Sequence, residues 1–228
     1  MNNELFLPFF ENPDRVNFKK ILETCKQESD EIEFKKEISP KGILKHVLAM
    51  ANSGGGIIIF GVEENSNKTL TCSGLKKYED ESNFSYLSEY IGKEMWQLLN
   101  FDYSGFESSV VKDKVFQILL IKSDKNQVPF ICIKDKDGCE SGNIFIRRNT
   151  SSIKANYKEI QELINKRIIN IKKEDCLIRN LNELKKMMQK EDWLLNLTSS
   201  IARLDNSEYD LFLKKMIEKK KIKIENMI

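Results

Sequence analysis

The chain has 228 residues, 40% hydrophobic and 32% charged, enough for one good-sized domain or one domain with a small appendage. Its net charge of +2 excludes reading nucleic-acid affinity from total charge, because any basic surface must be local and balanced by acid elsewhere. Five cysteines with no Cys-x-x-Cys pair argue for reduced thiols, and a lone histidine excludes paired-histidine metal sites and argues against Ser-His-Asp chemistry.

Met1 to Phe10 lacks the basic start of a secretory segment, and the longest apolar run, Ile57 to Val62, is far too short to span a bilayer. A soluble cytoplasmic protein with no membrane partner is expected. Residues 1–24 read as an N-terminal arm or short first element, whose Phe6, Phe9, Phe10 and Phe18 can dock on the body while Pro8 and Pro13 break regularity. The body opens on a strand, Glu31 to Lys36. Its period of two puts Glu31, Glu33 and Lys35 on one face and Ile32 and Phe34 on the other. Ser39-Pro40 predicts a helix start, and Ile43, Leu44, Val47 and Leu48 give that helix its apolar stripe as far as Asn52. His46 is expected to be a partly exposed helix residue. Gly54-Gly55-Gly56 makes a turn into Ile57 to Glu63, a strand apolar on both faces and therefore central and covered.

A polar turn near Ser66-Asn67 and a short segment, Thr69 to Ser73, follow. Leu87, Tyr90, Ile91, Met95 and Leu98 predict a helix from Phe84 to Leu99. Strands are expected at Tyr103 to Val111, Val115 to Lys122, Pro129 to Lys134 and Asn143 to Arg148, the first two joined as a hairpin by Lys112-Asp113-Lys114. A helix from Tyr157 to about Lys172 closes a domain over 25–172. Residues 173–228 read as a C-terminal helical appendage, with segments at Asp175 to Lys190, Trp193 to Ala202 and Glu208 to Lys223. Its Lys214 to Lys223 stretch, six lysines and one glutamate, is either a solvated face or a phosphate-contacting tail.

The chemistry concentrates in Glu28-x4-Glu33-Phe34-Lys35 and in Glu63-Glu64 at the end of the central strand. Phosphodiester cleavage needs an activated water and stabilisation of phosphate charge. Mg²⁺ or Mn²⁺ on two or three carboxylates supplies both, and an ammonium such as Lys35 or Lys36 can hold the phosphate. The plainer account of the same residues is a solvated strand face with cross-strand ion pairs. Asn52-Ser-Gly-Gly-Gly lacks the Gly-Lys-Ser/Thr of a phosphate-binding loop, so ATP is not expected, and its glycines serve to end a helix and enter a strand. Arg147 and Arg148 should diverge to opposite faces, ahead of Thr150 and Ser151, whose hydroxyls suit a phosphate backbone. Asn149 is suited to a left-handed turn. Trp96, Phe101 and Tyr103 are better read as core than as base-stacking residues.

Glu28-x4-Glu33-Phe34-Lys35, Ala49-Met-Ala51-Asn52-Ser-Gly-Gly55, Ile58-Ile-Phe-Gly61-Val62-Glu-Glu64 and Phe145-Ile146-Arg147 with Thr150-Ser151 stand in order between Glu28 and Ile164. Together they resemble the Schlafen-type AlbA-like domain. The resemblance implies an α+β fold with a mostly antiparallel or mixed sheet flanked by helices. It implies a metal-dependent endoribonuclease acting on structured RNA, tRNA above all, in stress or phage defence. On the matching positions, Glu28, Glu33 and Glu64 (or Glu63) become the metal carboxylates, with glutamate where the family has aspartate. Arg147 matches the family's arginine and becomes a nucleic-acid contact; on chemical grounds Lys35 joins the site as a catalytic residue, and Lys36, Arg148, Thr150 and Ser151 are further nucleic-acid contacts. A single lobe implies a homodimer to complete a groove. A non-catalytic DNA- or RNA-binding regulator or interaction module of the same fold is the competing reading.

Overall fold

In the computed structural model, residues 3–24, 28–65, 69–105 and 110–201 are described, with 215, 217, 218 and 221; for 3–5 and 191–201 only the backbone course is given. Two short helices open the chain, α1 (Asn3–Glu11) and α2 (Arg15–Thr24). The first contains Pro8, so the expected break at that proline does not occur. The arm is two docked helices: Phe9, Phe18 and Ile21 are fully buried.

The central sheet has the order β1-β2-β6-β5. Strand β1 (Ile32–Lys35) runs parallel to β2 (Gly56–Phe60), while β6 (Val115–Ile121) pairs antiparallel with both β2 and β5 (Trp96–Asp102). The parallel pair is connected by α3 (Leu44–Ser53), so the fold is α+β with a mixed sheet. Helix α3 starts four residues beyond Pro40, because Gly42 takes a φ of 82° and turns the chain first.

Strand β2 is buried along its whole length, and its alternation divides the core. Ile57 and Ile59 meet Phe9, Phe18, Ile32 and Phe34 on the side of α1 and α2. Ile58 and Phe60 meet Leu44, Val47, Leu48 and Phe84 on the side of α3. Burying the side chains of a strand on both faces, at about 1.5–3 kcal/mol each, is what makes it the centre of the sheet.

Gly61, at a φ of 99°, turns β2 into a small antiparallel hairpin, β3 (Val62–Glu64) with β4 (Leu70–Cys72). Beyond it the expected helix Phe84 to Leu99 is corrected. A 3₁₀ turn over Glu81–Leu87 runs into a one-turn helix, α4 (Ser88–Ile91), which stops at Gly92 with a φ of 80°. Trp96 to Leu99 belong to β5, so this strand, not Tyr103 to Val111, is the hairpin partner of β6. Pro129 to Lys134 is also not a strand; it is tied to Asn143 and to α3 by individual hydrogen bonds. A second hairpin, β7 (Phe145–Arg148) with β8 (Ser151–Lys154), turns through Asn149 in the left-handed region at a φ of 54°. Trp96, Phe101 and Tyr103 are core residues, 3%, 4% and 0% exposed.

One helix, α5 (Tyr157–Ile201), replaces the expected break near Lys172. The chain divides into two compact units, Met1–Asn170 and Ile171–Ile228. The first holds the sheet and every residue discussed below as a site; the described part of the second is helical. Most of the Lys214 to Lys223 run lies outside the described residues. Among the described residues, no helix is long and apolar enough to cross a membrane.

Candidate functional site

The site grows from the alternation of β1. Ile32 and Phe34 enter the core beside α1 and α2, which turns Glu33 toward α3 and β7. There its carboxylate meets Arg147, Lys35 and His46. Arg147 Nη1 donates to Oε2 at 2.8 Å, Lys35 Nζ to Oε1 at 2.5 Å, and His46 Nδ1 lies 3.4 Å from Oε1. The Glu33 side chain is only 5% exposed. Burial alone would raise its carboxyl; the hydrogen bonds and charges of His46, then Lys35, outweigh burial and hold it at about 2.

Arg147 is enclosed, with a side chain 0% exposed. Besides Glu33, its guanidinium donates to Ser152 Oγ at 3.0 Å, to the Ser29 carbonyl at 2.8 Å and to the Asp30 carbonyl at 3.2 Å. Its backbone N–H donates to Ser53 Oγ at 2.8 Å. The residue expected to touch phosphate is thus bonded on all sides to protein, and it joins β7 to β1. Its neighbour Arg148 diverges outward, as the strand period requires, and pairs with Glu159 on α5.

Glu28 lies at the outer edge of β1, where its Oε1 accepts the Phe34 N–H at 3.2 Å. Burial first, then the negative charge of Glu33, raises its carboxyl above the ordinary range; Glu64 adds to the rise, while the Phe34 hydrogen bond and Lys35 oppose it. Glu64 is exposed on β3. Glu63, the alternative third carboxylate, is instead paired with Lys36 at 2.9 Å. Thr150 and Ser151 are exposed at the tip of the β7–β8 hairpin with Arg148. The expected residues therefore fall into two groups, a carboxylate edge built on β1 and β3 and a polar hairpin tip.

His46 and Ser152 belong to the edge network without being among the residues the sequence points to. The Nδ1 of His46 lies 3.2 Å from Ser152 Oγ as well as near Glu33. The only available signal was its position three residues after Ile43, flanking the apolar stripe of α3.

Carboxylate oxygens suit a hard divalent cation, and Glu28, whose carboxyl is raised by burial first and then by the neighbouring charges of Glu33 and Glu64, is placed where such a cation would relieve the repulsion. Among the described residues, no three His, Cys, Asp or Glu side chains are gathered to hold a metal as they stand. Glu33 already serves Lys35, Arg147 and His46. A cation here would draw on Glu28 and Glu64 and share Glu33 with Lys35, whose half-exposed ammonium can move aside.

The sequence profile of the Schlafen AlbA_2 family matches residues 28–156, more than half of the chain. The chain belongs to the Schlafen AlbA_2 family. Its matched segment begins at Glu28 and ends past the β7–β8 hairpin, so it contains the whole carboxylate edge and the hairpin tip. No curated protein matches the chain. Among solved structures, the crystal structure of the DIP2311 protein from Corynebacterium diphtheriae is similar at 13% identity and a TM-score of 0.40, over 64% of this chain and 27% of that one. The similarity thus spans about a quarter of that protein's length.

Proposed function

We propose that this chain binds nucleic acid, structured RNA such as tRNA before DNA, and cuts its backbone at the carboxylate edge with Mg²⁺ or Mn²⁺. The observation that carries the cutting is the neighbourhood of three carboxylates: Glu28 is partly buried near the charges of Glu33 and Glu64, and burial first, then those two charges, raise its carboxyl. A bound divalent ion would supply an acidified water and a Lewis acid for the scissile phosphate. The chain's own residues hold the rest. Glu28 and Glu64 offer oxygens, Arg147 fixes Glu33 in one orientation, and Lys35 sits beside them to balance phosphate charge. Arg148, Thr150 and Ser151 at the hairpin tip would meet the backbone of the same strand. In this reading two copies pair. Leu177, Leu181, Leu184 and Met188, exposed at heptad spacing on α5, are the support for that pairing.

A second reading, nucleic-acid binding without cleavage, is favoured by the saturation of Glu33. A carboxylate already paired with Arg147 and Lys35, and with His46 beside it, is built as a structural ion pair is built.

The test is incubation of the protein with total tRNA and with duplex DNA, in Mn²⁺, Mg²⁺ or EDTA, beside a Glu28→Ala/Glu64→Ala variant. Both substituted side chains lie outside the Glu33–Arg147 pair, so the fold is expected to survive. Metal-dependent cutting of tRNA that the variant lacks is the expected outcome. Binding without cutting, equal in both proteins, would leave the second reading in its place.

A further inference from the structure

We propose that the open groove at the far end of β1 is the track along which the nucleic-acid backbone leaves the site. This rests on the nucleic-acid reading above, but not on cleavage. The groove has a volume of about 520 Å³, and three lysines, Lys36, Lys76 and Lys77, line it against two glutamates, Glu37 and Glu79.

Its position follows from the chain. Lys36 is the residue after Lys35, whose ammonium sits on Glu33, and Lys36 itself is paired with Glu63, next to Glu64. The groove therefore begins where the carboxylate edge ends. Gly74, on its lining, is held to glycine by its backbone and by its neighbours. At a φ of 73°, an added Cβ there would lie 3.0 Å from Lys114 Cβ.

Charge selects the ligand. Lys76 and Lys77 are exposed and make no ion pair among the described residues, while Glu79 is held by Asn83 and its backbone by Gln117. The groove is open, and its lining mixes the lysines with the apolar side chains of Ile38 and Leu75. A site for a small molecule would be enclosed and would bury most of its ligand. Free ammonium groups along an open groove suit an extended polyanion. The other cavity by the site, beside Arg147, has the opposite character. Asp30, Glu31, Glu159 and Glu162 outnumber Lys166 and the already paired Arg147 around about 260 Å³, which disfavours a phosphate chain. A strand crossing the carboxylate edge is thereby directed toward Lys76 and Lys77.

The experiment measures binding of fluorescently labelled tRNA and of a duplex DNA, in EDTA, as a function of salt. It compares the wild type with Lys76→Gln/Lys77→Gln and with a control pair of exposed lysines outside the groove, Lys20→Gln/Lys125→Gln. Loss of two phosphate contacts should make the slope of log affinity against log salt shallower by about 1.4–1.8 in the groove variant and not in the control. Thermal unfolding of both variants should match the wild type, since all four side chains are exposed. An unchanged slope in the groove variant, with wild-type binding intact, overturns the track and leaves the nucleic-acid reading standing. An equal change in groove and control variants overturns it too, as diffuse attraction. A wild type that binds neither probe removes the nucleic-acid reading, and the track with it.

Discussion

Arg147 and Glu33 illustrate how a residue's type can be legible while its role is not. The alternation of β7 placed Arg147 and Arg148 on opposite faces in advance, but nothing in a Phe-Ile-Arg-Arg string says which arginine faces inward. What decides is the carboxylate of Glu33 on a strand 114 residues away, which only the fold brings within 2.8 Å. A buried pair of this kind is costly to break, because the surviving partner is left charged and unsolvated. Glu33→Gln is therefore expected to lose about 3–5 kcal/mol at pH 7. The pH dependence carries a sign. In the folded protein Glu33 keeps its charge down to about pH 2, whereas the unfolded chain takes up the proton near 4.5. Its stabilisation is thus complete above pH 4.5 and is lost as the pH falls toward 2. Glu28, whose carboxyl is raised, works in the opposite sense, contributing stability below pH 4.5 that is lost as the pH rises through its folded value. Denaturant unfolding at a series of pH values should show a steeper acid decline in the wild type than in Glu33→Gln. Parallel declines would mean that the network holds no such linkage.

At the scale of elements, the Asn52-Ser-Gly-Gly-Gly run has a structural task at every position. The Asn52 amide donates to the carbonyls of Phe130 and Phe145, each at 2.9 Å, and its oxygen accepts the Phe130 N–H at 2.7 Å. These three bonds fasten a segment with no strand partners and the β7–β8 hairpin to the end of α3. Ser53 adds the Arg147 N–H, Gly54 ends the helix at a φ of 117°, and a Cβ on Gly55 would meet the Ile121 carbonyl at 2.8 Å. Asn52→Ala would orphan three buried backbone groups, at roughly 1–3 kcal/mol each when left unpaired. A fall in unfolding midpoint together with faster amide exchange at Phe130 is the expected result; a midpoint within a degree of wild type would show that water replaces the amide. The run's structural task was legible because glycines after an apolar helix have few other uses. The boundary of β5 was not. Leu87, Tyr90, Ile91, Met95 and Leu98 do fall at helical spacing, yet α4 and β5 both face one core, so two short elements reproduce the pattern of one long one. Pro129 to Lys134 misled for a related reason: its apolar residues Phe130 and Cys132 are buried, but by side-chain anchors rather than by a ladder.

For the molecule as a whole, the family segment from Glu28 to residue 156 does not close its own core. The sheet face carrying Ile57, Ile59, Phe116 and Ile118 is covered by Phe9, Phe18, Ile21 and Leu22 of α1 and α2. A chain beginning at Glu28 would expose that face, an apolar patch of the kind that drives association. It is expected to elute as aggregate in size-exclusion chromatography, whereas the full chain gives a defined species; a well-behaved monomer from the shortened chain would mean that the face repacks. The arm read from the first 24 residues is in this sense part of the fold.

The outer side of β1 has a consequence for assembly. In the parallel pairing with β2, Glu31 and Lys35 turn their carbonyls inward to Ile57 and Gly61, so the Phe34 N–H and the Ile32 carbonyl point away from the sheet. An unpaired rim of this kind ordinarily invites a strand from another molecule. Here the preceding residues occupy it: Glu28 takes the Phe34 N–H, and the Ser29 N–H takes the Ile32 carbonyl at 3.1 Å. The polypeptide thus occupies much of its own sheet border, which works against a second copy or an extended peptide joining the sheet there by β-augmentation.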